Sequence, residues 1–307
     1  MNSTKHTYSQ SQKWSSAQEN ASSFLGDLAE LFKLRLSFLV VFSSVLGAVI
    51  VGGLSVFTFS DFVLLFIGGL LTSGSGSAVN QVLEKDVDKL MKRTHNRPLA
   101  KDSISVPKVL LIIGLSLCVG LTLLYFLHPM AAIFSMVAWA LYGFVYTPMK
   151  KMGPFAVFIG AIPGALPVLI GTVAVEGQIS FLAFLLFSIQ FIWQFPHFWA
   201  IAWISDTDYK KAGFRLLPNV LSSKDESVAW QCLVYATLLI PISLVFWYNG
   251  FLGYVGLAVF NIFNLAYIFY AYKLYDELSD EAAKNLMFSS FFYLPLVLLS
   301  LSFLIIL

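Results

Sequence analysis

"NQVLEKDVDKLMKRTHNRPLA", residues Asn80–Ala100, is the stretch that decides the fold, because an apolar run meets a dense cluster of charge there. The chain as a whole is strongly apolar: 58% of its 307 residues are hydrophobic and only 12% are charged. Soluble domains carry about 25% charged residues, so this composition argues against a soluble protein and is typical of a membrane protein.

Long apolar runs occupy most of the remaining sequence. A helix needs about 20 apolar residues to cross a bilayer, and the chain has nine such runs. A β-barrel would instead show strands of about ten residues with alternating hydrophobicity, which these continuous runs lack. The sequence therefore predicts an all-α, polytopic membrane protein with nine transmembrane helices. The predicted spans cover residues 34–54, 61–83, 107–127, 129–147, 154–175, 180–204, 228–248, 251–272 and 287–307.

The basic residues predict how the chain is oriented in the membrane. All 19 Lys and Arg residues lie near the N-terminus or in and beside the even-numbered connections between spans. Because cytoplasmic loops are enriched in Lys and Arg, we expect a bacterial inner-membrane protein with a cytoplasmic N-terminus and its C-terminus on the opposite side. Residues 1–30 are expected to be a cytoplasmic tail with an amphipathic segment, and residues 31–307 a nine-helix membrane domain.

Three polar residues at the end of the second run are spaced for one helical face. Asn80, Glu84 and Asp88 lie at positions i, i+4 and i+8, so their side chains point in similar directions. One amide oxygen and two carboxylates suit Mg²⁺. The alternative is a solvated helix end whose acids balance nearby lysines. Polar residues at the end of a span are costly and tend to be functional, which favours the metal site.

The basic residues that follow these acids indicate a different role, the binding of phosphate. Arg93 and Arg97 can each grip phosphate oxygens through paired donors. Their alternative role is the cytoplasmic charge signal, which does not require acids interleaved with the bases. The mixture of both signs therefore indicates a metal ion together with a polyphosphate.

Two further runs carry candidate residues for the same chemistry. "YTPMKK" places Tyr146 and Lys150 four residues apart, where both could donate to a leaving phosphate, although a basic cap on a span is common. "SDTDYKK" supplies Asp206 and Asp208, which could hold a second Mg²⁺ and clamp a pyrophosphate between two ions. The order of acids and bases in this sixth connection resembles that in the second, which indicates either chance or a repeated helical unit.

"WQFPHFWAIAW", residues 193–203, surrounds His197 with aromatic side chains inside the sixth predicted span. An ordinary buried histidine bonded to a neighbour is one interpretation. An aromatic pocket with an imidazole also suits a flat, apolar, metal-bearing ring such as haem. In the fifth span, Pro163 and Pro167 favour a bent helix beside a cavity, because proline in a span is tolerated where the helix packs on protein or lines a cavity.

The charged stretch resembles a known motif. "NQVLEKDVDKLMKRTHNRPLA" is similar to the first Asn-x-x-x-Asp motif of the UbiA superfamily of intramembrane prenyltransferases, with Glu84 in place of the usual Asp. Together with "YTPMKK", "WQFPHFW" and "DTDYKKAGFRLLP", it resembles most the protohaem IX farnesyltransferase (haem O synthase) branch. The resemblance implies a nine-helix bundle around a central cavity. It also implies transfer of a farnesyl group from farnesyl diphosphate, with Mg²⁺, to the vinyl group of haem b.

The resemblance also implies roles for individual residues. The metal ligands it implies are Asn80, Glu84 and Asp88. Asp206 and Asp208 stay the candidates for a second ion on the residues alone. The catalytic set adds Arg93, Arg97, Tyr146 and Lys150 to the first three ligands. The substrate-binding set is Arg35, Lys151, His197, Tyr209 and Lys210, with His197 as a haem contact. The sequence departs from the superfamily where Ser205 and Tyr209 occupy the positions of a second Asp-x-x-x-Asp motif.

Two alternatives remain open from the sequence. One is a UbiA-type enzyme that prenylates an aromatic acid or quinone precursor. The other is a transporter, although transporters place binding sites near the membrane midplane and these acids cluster at one border. The expected partners are farnesyl diphosphate, haem b and the lipid bilayer, with a haem-modifying enzyme or a terminal oxidase as candidate assembly partners and no nucleic acid.

Overall fold

A computed structural model describes residues 24–219 and 221–305, so the expected polar tail over residues 1–23 lies outside the described residues. Within this part of the chain, nine helices are long and apolar enough to cross a membrane, which confirms the predicted all-α, polytopic architecture. We call them the first to ninth spans. They are Leu34–Val56, Phe59–Asp88, Val106–Leu127, Pro129–Met149, Phe155–Glu176, Phe181–Ile204, Glu226–Tyr248, Tyr254–Glu277 and Asp280–Leu304.

Several span ends differ from the prediction by a few residues, and two of the larger differences have a local reason. The second span continues to Asp88 instead of ending at residue 83, so the first acidic residues extend a helix and are not a loop. The ninth span begins at Asp280, well before residue 287. Its Ser279 side chain accepts a hydrogen bond from the Ala282 amide, and such a cap stabilises a helix start that hydropathy alone does not reveal.

The fifth span lies at the centre of the bundle and packs against the first, fourth and sixth spans. Glycines allow its closest approach to the first span. A Cβ atom added to Gly171 would collide with the backbone of Ser44, and one added to Gly47 would collide with the backbone of Val168. Small residues at such crossings permit backbone contact between membrane helices. The two helices therefore form a tight pair around which the cavity is built.

A short helix over residues 24–31, which we call the juxtamembrane helix, precedes the first span. Leu31 is fully buried at its C-terminal end, whereas Leu25 is exposed. The Gln81 side chain on the second span donates hydrogen bonds to the carbonyls of Glu30 and Leu31, at 3.1 and 3.0 Å. The predicted amphipathic segment is thus helical in its described part and is attached to the second span.

A central cavity of about 990 Å³ lies between the first, second, fourth, fifth, sixth and ninth spans. Residues of the second and sixth connections cover one end, which also receives the polar end of the second span. Pro163 and Pro167 both line the cavity. Ligand pockets usually enclose about 300–1,000 Å³, so this one is large enough for more than a single small ligand.

Candidate active site

The second span places its three polar residues together on one buried face. Asn80, Glu84 and Asp88 are all buried, with 1%, 5% and 1% of their surface exposed. They lie on one uninterrupted helix. All three side chains therefore share one helical face, as their spacing predicted. Asn80 and Glu84 line the cavity directly. We refer to the part of the cavity beside these residues as the charged end.

Basic residues from other parts of the chain neutralise both carboxylates. Nη1 of Arg97 lies 2.8 Å from each carboxylate oxygen of Asp88. Nζ of Lys150, at the end of the fourth span, lies 2.9 Å from Oε1 of Glu84. A buried charge without a partner is strongly destabilising, and each of these carboxylates has a basic side chain in contact with it.

Lys33 adds a third cation that the candidate site residues did not include. It lies between the juxtamembrane helix and the first span, with a left-handed backbone (φ 46°, ψ 51°). Its ammonium group donates to Oδ1 of Asn80 at 3.3 Å. Burial lowers the pKa of Lys33 to about 7, and the positive charges of Arg97 and Lys150 add to this effect. Among the charges near Lys33, the positive ones therefore outweigh the negative ones of Glu84 and Asp88.

The composition of the cavity wall leads to the same conclusion. Five basic side chains line it and only two acidic ones. An excess of positive charge on a cavity wall attracts an anion and is suited to phosphate oxygens. The basic residues are Lys33, Arg35, Arg93, Arg97 and Lys150, and the acidic ones are Glu30 and Glu84.

The fourth span reaches the charged end through a π-helical segment, Leu141–Tyr146. π-Helical segments are rare and occur frequently at functional sites. Tyr142 and Tyr146 both line the cavity, and Nζ of Lys150 lies 4.9 Å from the centre of the Tyr146 ring. Thr147 accepts a hydrogen bond from Nδ2 of Asn80 at 3.2 Å, which fixes the amide with its oxygen toward the cations.

The sixth connection begins with a short helix, Asp206–Lys211, after the sixth span ends at Ile204. Only Tyr209 of this helix lies on the cavity wall. Its hydroxyl accepts a hydrogen bond from Nη2 of Arg93 at 3.1 Å, so it joins the second and sixth connections over the charged end. Asp206 is paired with Lys210 at 2.8 Å. The structure places neither Asp206 nor Asp208 among the residues that line the cavity.

The remaining candidate residues divide between the cavity and the surface. Arg35 lines the cavity. Lys151 is exposed and does not line it, although the neighbouring Lys150 does. Lys210 is also exposed. The structure therefore brings together Asn80, Glu84, Asp88, Arg93, Arg97, Tyr146, Lys150 and Tyr209 at the charged end.

A second part of the cavity is lined by Trp193, His197, Phe198 and Phe291, which we call the aromatic wall. The His197 imidazole is 8% exposed and stacks on the Trp193 ring, with the ring centres 5.0 Å apart. Its Nδ1 lies 2.6 Å from Oγ of Ser290 on the ninth span. Sequence reasoning missed Ser290, because nothing local marks one serine in an apolar span as the partner of a distant histidine.

The donor chemistry of the charged end fits the predicted magnesium ion. In the described part of the chain, no group of three or more His, Cys, Asp and Glu side chains is arranged to hold a metal ion. Asn80, Glu84 and Asp88 offer one amide and two carboxylate groups. Mg²⁺ is commonly held by one or two carboxylates with phosphate oxygens of the substrate completing its shell. These residues would thus hold the ion together with a substrate.

The model of the UbiA prenyltransferase family matches residues 40–294 of this sequence. The chain belongs to the UbiA prenyltransferase family. The matched residues include all nine spans in whole or in part, and they contain Asn80, Glu84, Asp88 and the aromatic wall, but not Lys33 or Arg35.

Curated relatives within the UbiA family are similar over nearly their whole length. The protoheme IX farnesyltransferase of Christiangramia forsetii is 42% identical, over 90% of this chain and 92% of that protein. The protein of the same name from Cytophaga hutchinsonii is 39% identical, over 87% of this chain and 93% of that protein.

Solved structures share the UbiA fold at lower sequence identity. A digeranylgeranylglyceryl phosphate synthase has a TM-score of 0.75 at 18% identity and covers 91% of this chain and 97% of its own. A UbiA homologue from Archaeoglobus fulgidus, bound to GPP and Mg²⁺, has a TM-score of 0.66 at 16% identity and covers 90% and 99%. The predicted UbiA-type bundle around a central cavity is therefore confirmed.

Proposed function

We propose that this protein transfers the farnesyl group of farnesyl diphosphate to the vinyl group of haem b, releasing pyrophosphate and forming haem O. The observation that carries this proposal is the junction of the charged end and the aromatic wall in one cavity. The first suits the diphosphate of one substrate, and the second suits a flat ring with a metal at its centre. The names of the similar curated relatives support the same reaction.

We assign a Mg²⁺ site to Asn80, Glu84 and Asp88. When bound, the ion would supply positive charge to the oxygens of the departing diphosphate. Arg97 and Lys150 now contact the two carboxylates. With the ion held at this site, Arg97 and Lys150 would be available to donate to phosphate oxygens.

The other bases and Tyr146 complete the catalytic set in this proposal. Arg93 and Tyr146 line the cavity beside Lys150, where they would donate to the diphosphate as its bond to farnesyl breaks. Fixed donors aimed at developing charge are usually the largest contribution to catalysis. Substrate binding by Arg35, Lys151, Tyr209 and Lys210, and a second metal site at Asp206 and Asp208, stay predictions. Of these residues, Lys151 and Lys210 are exposed and do not line the cavity, so we expect small contributions from both.

The reaction balances with water as the final reactant. The C–O bond of farnesyl diphosphate breaks, and pyrophosphate keeps the electron pair. The vinyl electrons of haem b then form the new C–C bond with the allylic cation. Water adds to the resulting cation and loses a proton, which yields the hydroxyethylfarnesyl group. The apolar part of the cavity must exclude other water until the C–C bond has formed.

We place the enzyme in the bacterial inner membrane, with its N-terminus in the cytoplasm and its C-terminus on the opposite side. The distribution of Lys and Arg supports this orientation. In this arrangement the charged end faces the cytoplasm, from which farnesyl diphosphate and Mg²⁺ arrive. A haem-modifying enzyme or a terminal oxidase would be the candidate partner on the product side.

The decisive experiment supplies the purified protein with haem b, farnesyl diphosphate and Mg²⁺, and measures the mass of the product haem. We expect farnesylated haem, and we expect its formation to stop when the metal is chelated. An aromatic acid and a quinone precursor serve as competing acceptors in a parallel reaction. Prenylation of either one, with haem b left unchanged, would overturn the proposal.

A further inference from the structure

The ninth span holds His197 through Ser290, a residue without an assigned role in the proposed reaction. Nδ1 of the imidazole lies 2.6 Å from Oγ of Ser290. The Ser290 hydroxyl also donates to the carbonyl of Met287, one helical turn earlier, at 2.5 Å. Ser290 is fully buried, so water does not compete for these two contacts.

The number of available protons determines the tautomer of His197. A serine hydroxyl has one proton, and a carbonyl oxygen can only accept. Because the hydroxyl gives its proton to Met287, Oγ must accept from His197. Nδ1 of His197 therefore carries the ring proton. In a neutral imidazole the other nitrogen, Nε2, is then left with a lone pair.

Neighbouring side chains fix the plane of the His197 ring as well. Trp193 stacks on it at an interplanar angle of 15°, and its indole N–H donates to the carbonyl of Ser290 at 3.0 Å. Phe291 meets the imidazole edge to face, with ring centres 5.2 Å apart. His197 lines the cavity, and within the described chain its hydrogen bonding involves Nδ1 alone. Nε2 is the nitrogen left for a ligand.

We propose that Ser290 is a positioning residue that holds Nε2 of His197 as an axial ligand for the iron of the haem substrate, an inference that rests on the proposed function. Neutral imidazole is a common iron ligand in haem proteins. Metal-binding histidines almost always donate their second N–H to a fixed acceptor, which orients the ring and increases its basicity. Ligation would anchor the haem within the cavity, so that its vinyl group meets the farnesyl cation in a fixed geometry.

The test uses the full chain in lipid nanodiscs, titrated with ferric haem b and followed by Soret absorbance and electron paramagnetic resonance. We expect the wild type to give a histidine-ligated spectrum and His197→Ala to lose it. Loss of an outer-shell partner typically weakens metal affinity about 10–100-fold. For Ser290→Ala we expect about tenfold weaker haem binding and, in the ferrous protein, a shifted iron–histidine stretching frequency.

Two variants separate positioning from packing. Ser290→Thr keeps the hydroxyl and should recover most of the wild-type affinity and spectrum. Ser289→Ala is the matched control. The Ser289 hydroxyl donates to the carbonyl of Leu286 on the same helix, and Ser289 does not line the central cavity. This control should behave as the wild type. If Ser290→Ala does not fold, Ser290→Cys offers a weaker acceptor of similar size and should reproduce its effects.

The outcomes distinguish this inference from the proposed function. An unchanged spectrum in His197→Ala, or wild-type affinity and stretching frequency in Ser290→Ala, would overturn the inference even if the wild type farnesylates haem b. A wild type that binds haem through His197 but yields no farnesylated haem would overturn the proposed function and leave the ligand assignment supported. Binding of farnesyl diphosphate should be unchanged in all Ser290 variants, and its loss there would indicate a general packing defect that overturns a specific positioning role.

Discussion

The second and sixth connections have similar sequences but different structures. In both sequences, two acidic residues separated by one residue are followed by two or more basic residues. Asp88, which the structure places at the end of the second span, is buried and paired with Arg97 of the second connection. In the sixth, Asp206 is paired with an exposed lysine of its own short helix and does not line the cavity. The same residue types thus form a buried site in one place and a partly exposed helix in the other.

Helix continuity explains this difference. The second span runs without a break to Asp88, so its 3.6-residue period carries Asn80 and Glu84 to the same side as Asp88. The sixth span ends at Ile204, and the non-helical Ser205 (φ −92°, ψ 10°) separates it from the next helix, so the two do not share one helical period. The order of residues was therefore a weaker guide to function than the path of the helix that carries them.

We expect the largest effect from a substitution of Asp88, and a much smaller one from the same substitution of the acids in the sixth connection. Asp88→Asn should reduce farnesyl transfer by on the order of 10³-fold, because it removes the negative charge of a metal ligand that also pairs with Arg97. The protein should stay folded, since the amide oxygen still accepts from Arg97. Activity assays of purified protein check this, with circular dichroism to confirm folding. Unchanged activity would reject the metal role of Asp88.

Asp206→Asn and Asp208→Asn complete the same comparison. If the positions seen in the structure persist during turnover, each should cost less than about tenfold. A loss as large as that of Asp88→Asn would instead mean that the short helix moves toward the cavity and that these acids hold the second metal ion. Either result determines whether the sixth connection supplies the other half of the site.

Two adjacent lysines offer a sharper test with a matched control. Lys150→Ala removes the cation on Glu84 and a candidate diphosphate donor, so we expect kcat/KM to fall about 10²–10³-fold. Lys151→Ala changes an exposed side chain that does not line the cavity and should cost no more than about threefold. Steady-state kinetics with farnesyl diphosphate measure both. Equal losses would show that net positive charge matters and that the contact with Glu84 does not.

The sequence predicted the elements that depend on local pattern. Apolar runs located the nine spans, and an i, i+4, i+8 spacing placed Asn80 and Glu84 on one buried face. The sequence could not predict contacts that depend on the assembled bundle. Lys33 reaches Asn80 only because its backbone adopts a left-handed conformation between two helices. Ser290 meets His197 across 93 residues of chain.

The sequence could not predict the π-helical segment of the fourth span, for a different reason. One extra residue in a turn has no characteristic composition, yet it sets the register of everything that follows on the helix. That register brings both Tyr142 and Tyr146 to the cavity wall. The sequence predicted a donor pair, Tyr146 and Lys150, but gave no reason to include Tyr142.

A moderate effect is expected where the two connections meet. Tyr209→Phe removes the hydroxyl that accepts from Arg93 but keeps the ring beneath the guanidinium, 5.5 Å from its centre. One such hydrogen bond contributes about 0.5–1.5 kcal/mol, so we expect the KM for farnesyl diphosphate to rise roughly 2–10-fold. Lys210→Ala, on the exposed side of the same helix, is the control and should leave KM unchanged. An equal rise in both variants would show that the helix, and not its link to Arg93, matters.

The smallest effect concerns how the second connection is attached to the juxtamembrane helix, through an ion pair between Lys101 and Asp27 at 2.8 Å. Burial raises the pKa of Asp27, but hydrogen bonds from Lys101 and Ser103 and the charge of Lys101 outweigh it, so the pKa lies below 3.8. The folded state therefore gains stability from this pair above pH 3.8, and loses it as the pH falls through the lowered pKa of Asp27. The hydrogen bond to Asp27 also raises the pKa of Lys101, so the pair persists through neutral pH.

Asp27→Asn should accordingly loosen the juxtamembrane helix at pH 7, and its effect should shrink as the pH falls through the lowered pKa of Asp27. Lys101 is 41% exposed, and solvent-exposed pairs contribute only about 0.2–1 kcal/mol, so hydrogen exchange of residues 24–31 should accelerate by roughly fivefold at most. Asp102→Asn is the control, because Asp102 pairs with Lys85 and Lys89 in the second connection and not with the juxtamembrane helix. Equal acceleration in both variants would mean that general charge balance holds this helix in place. Acceleration in Asp27→Asn alone would assign the attachment to one ion pair, which has no equivalent among the described contacts of the short helix in the sixth connection.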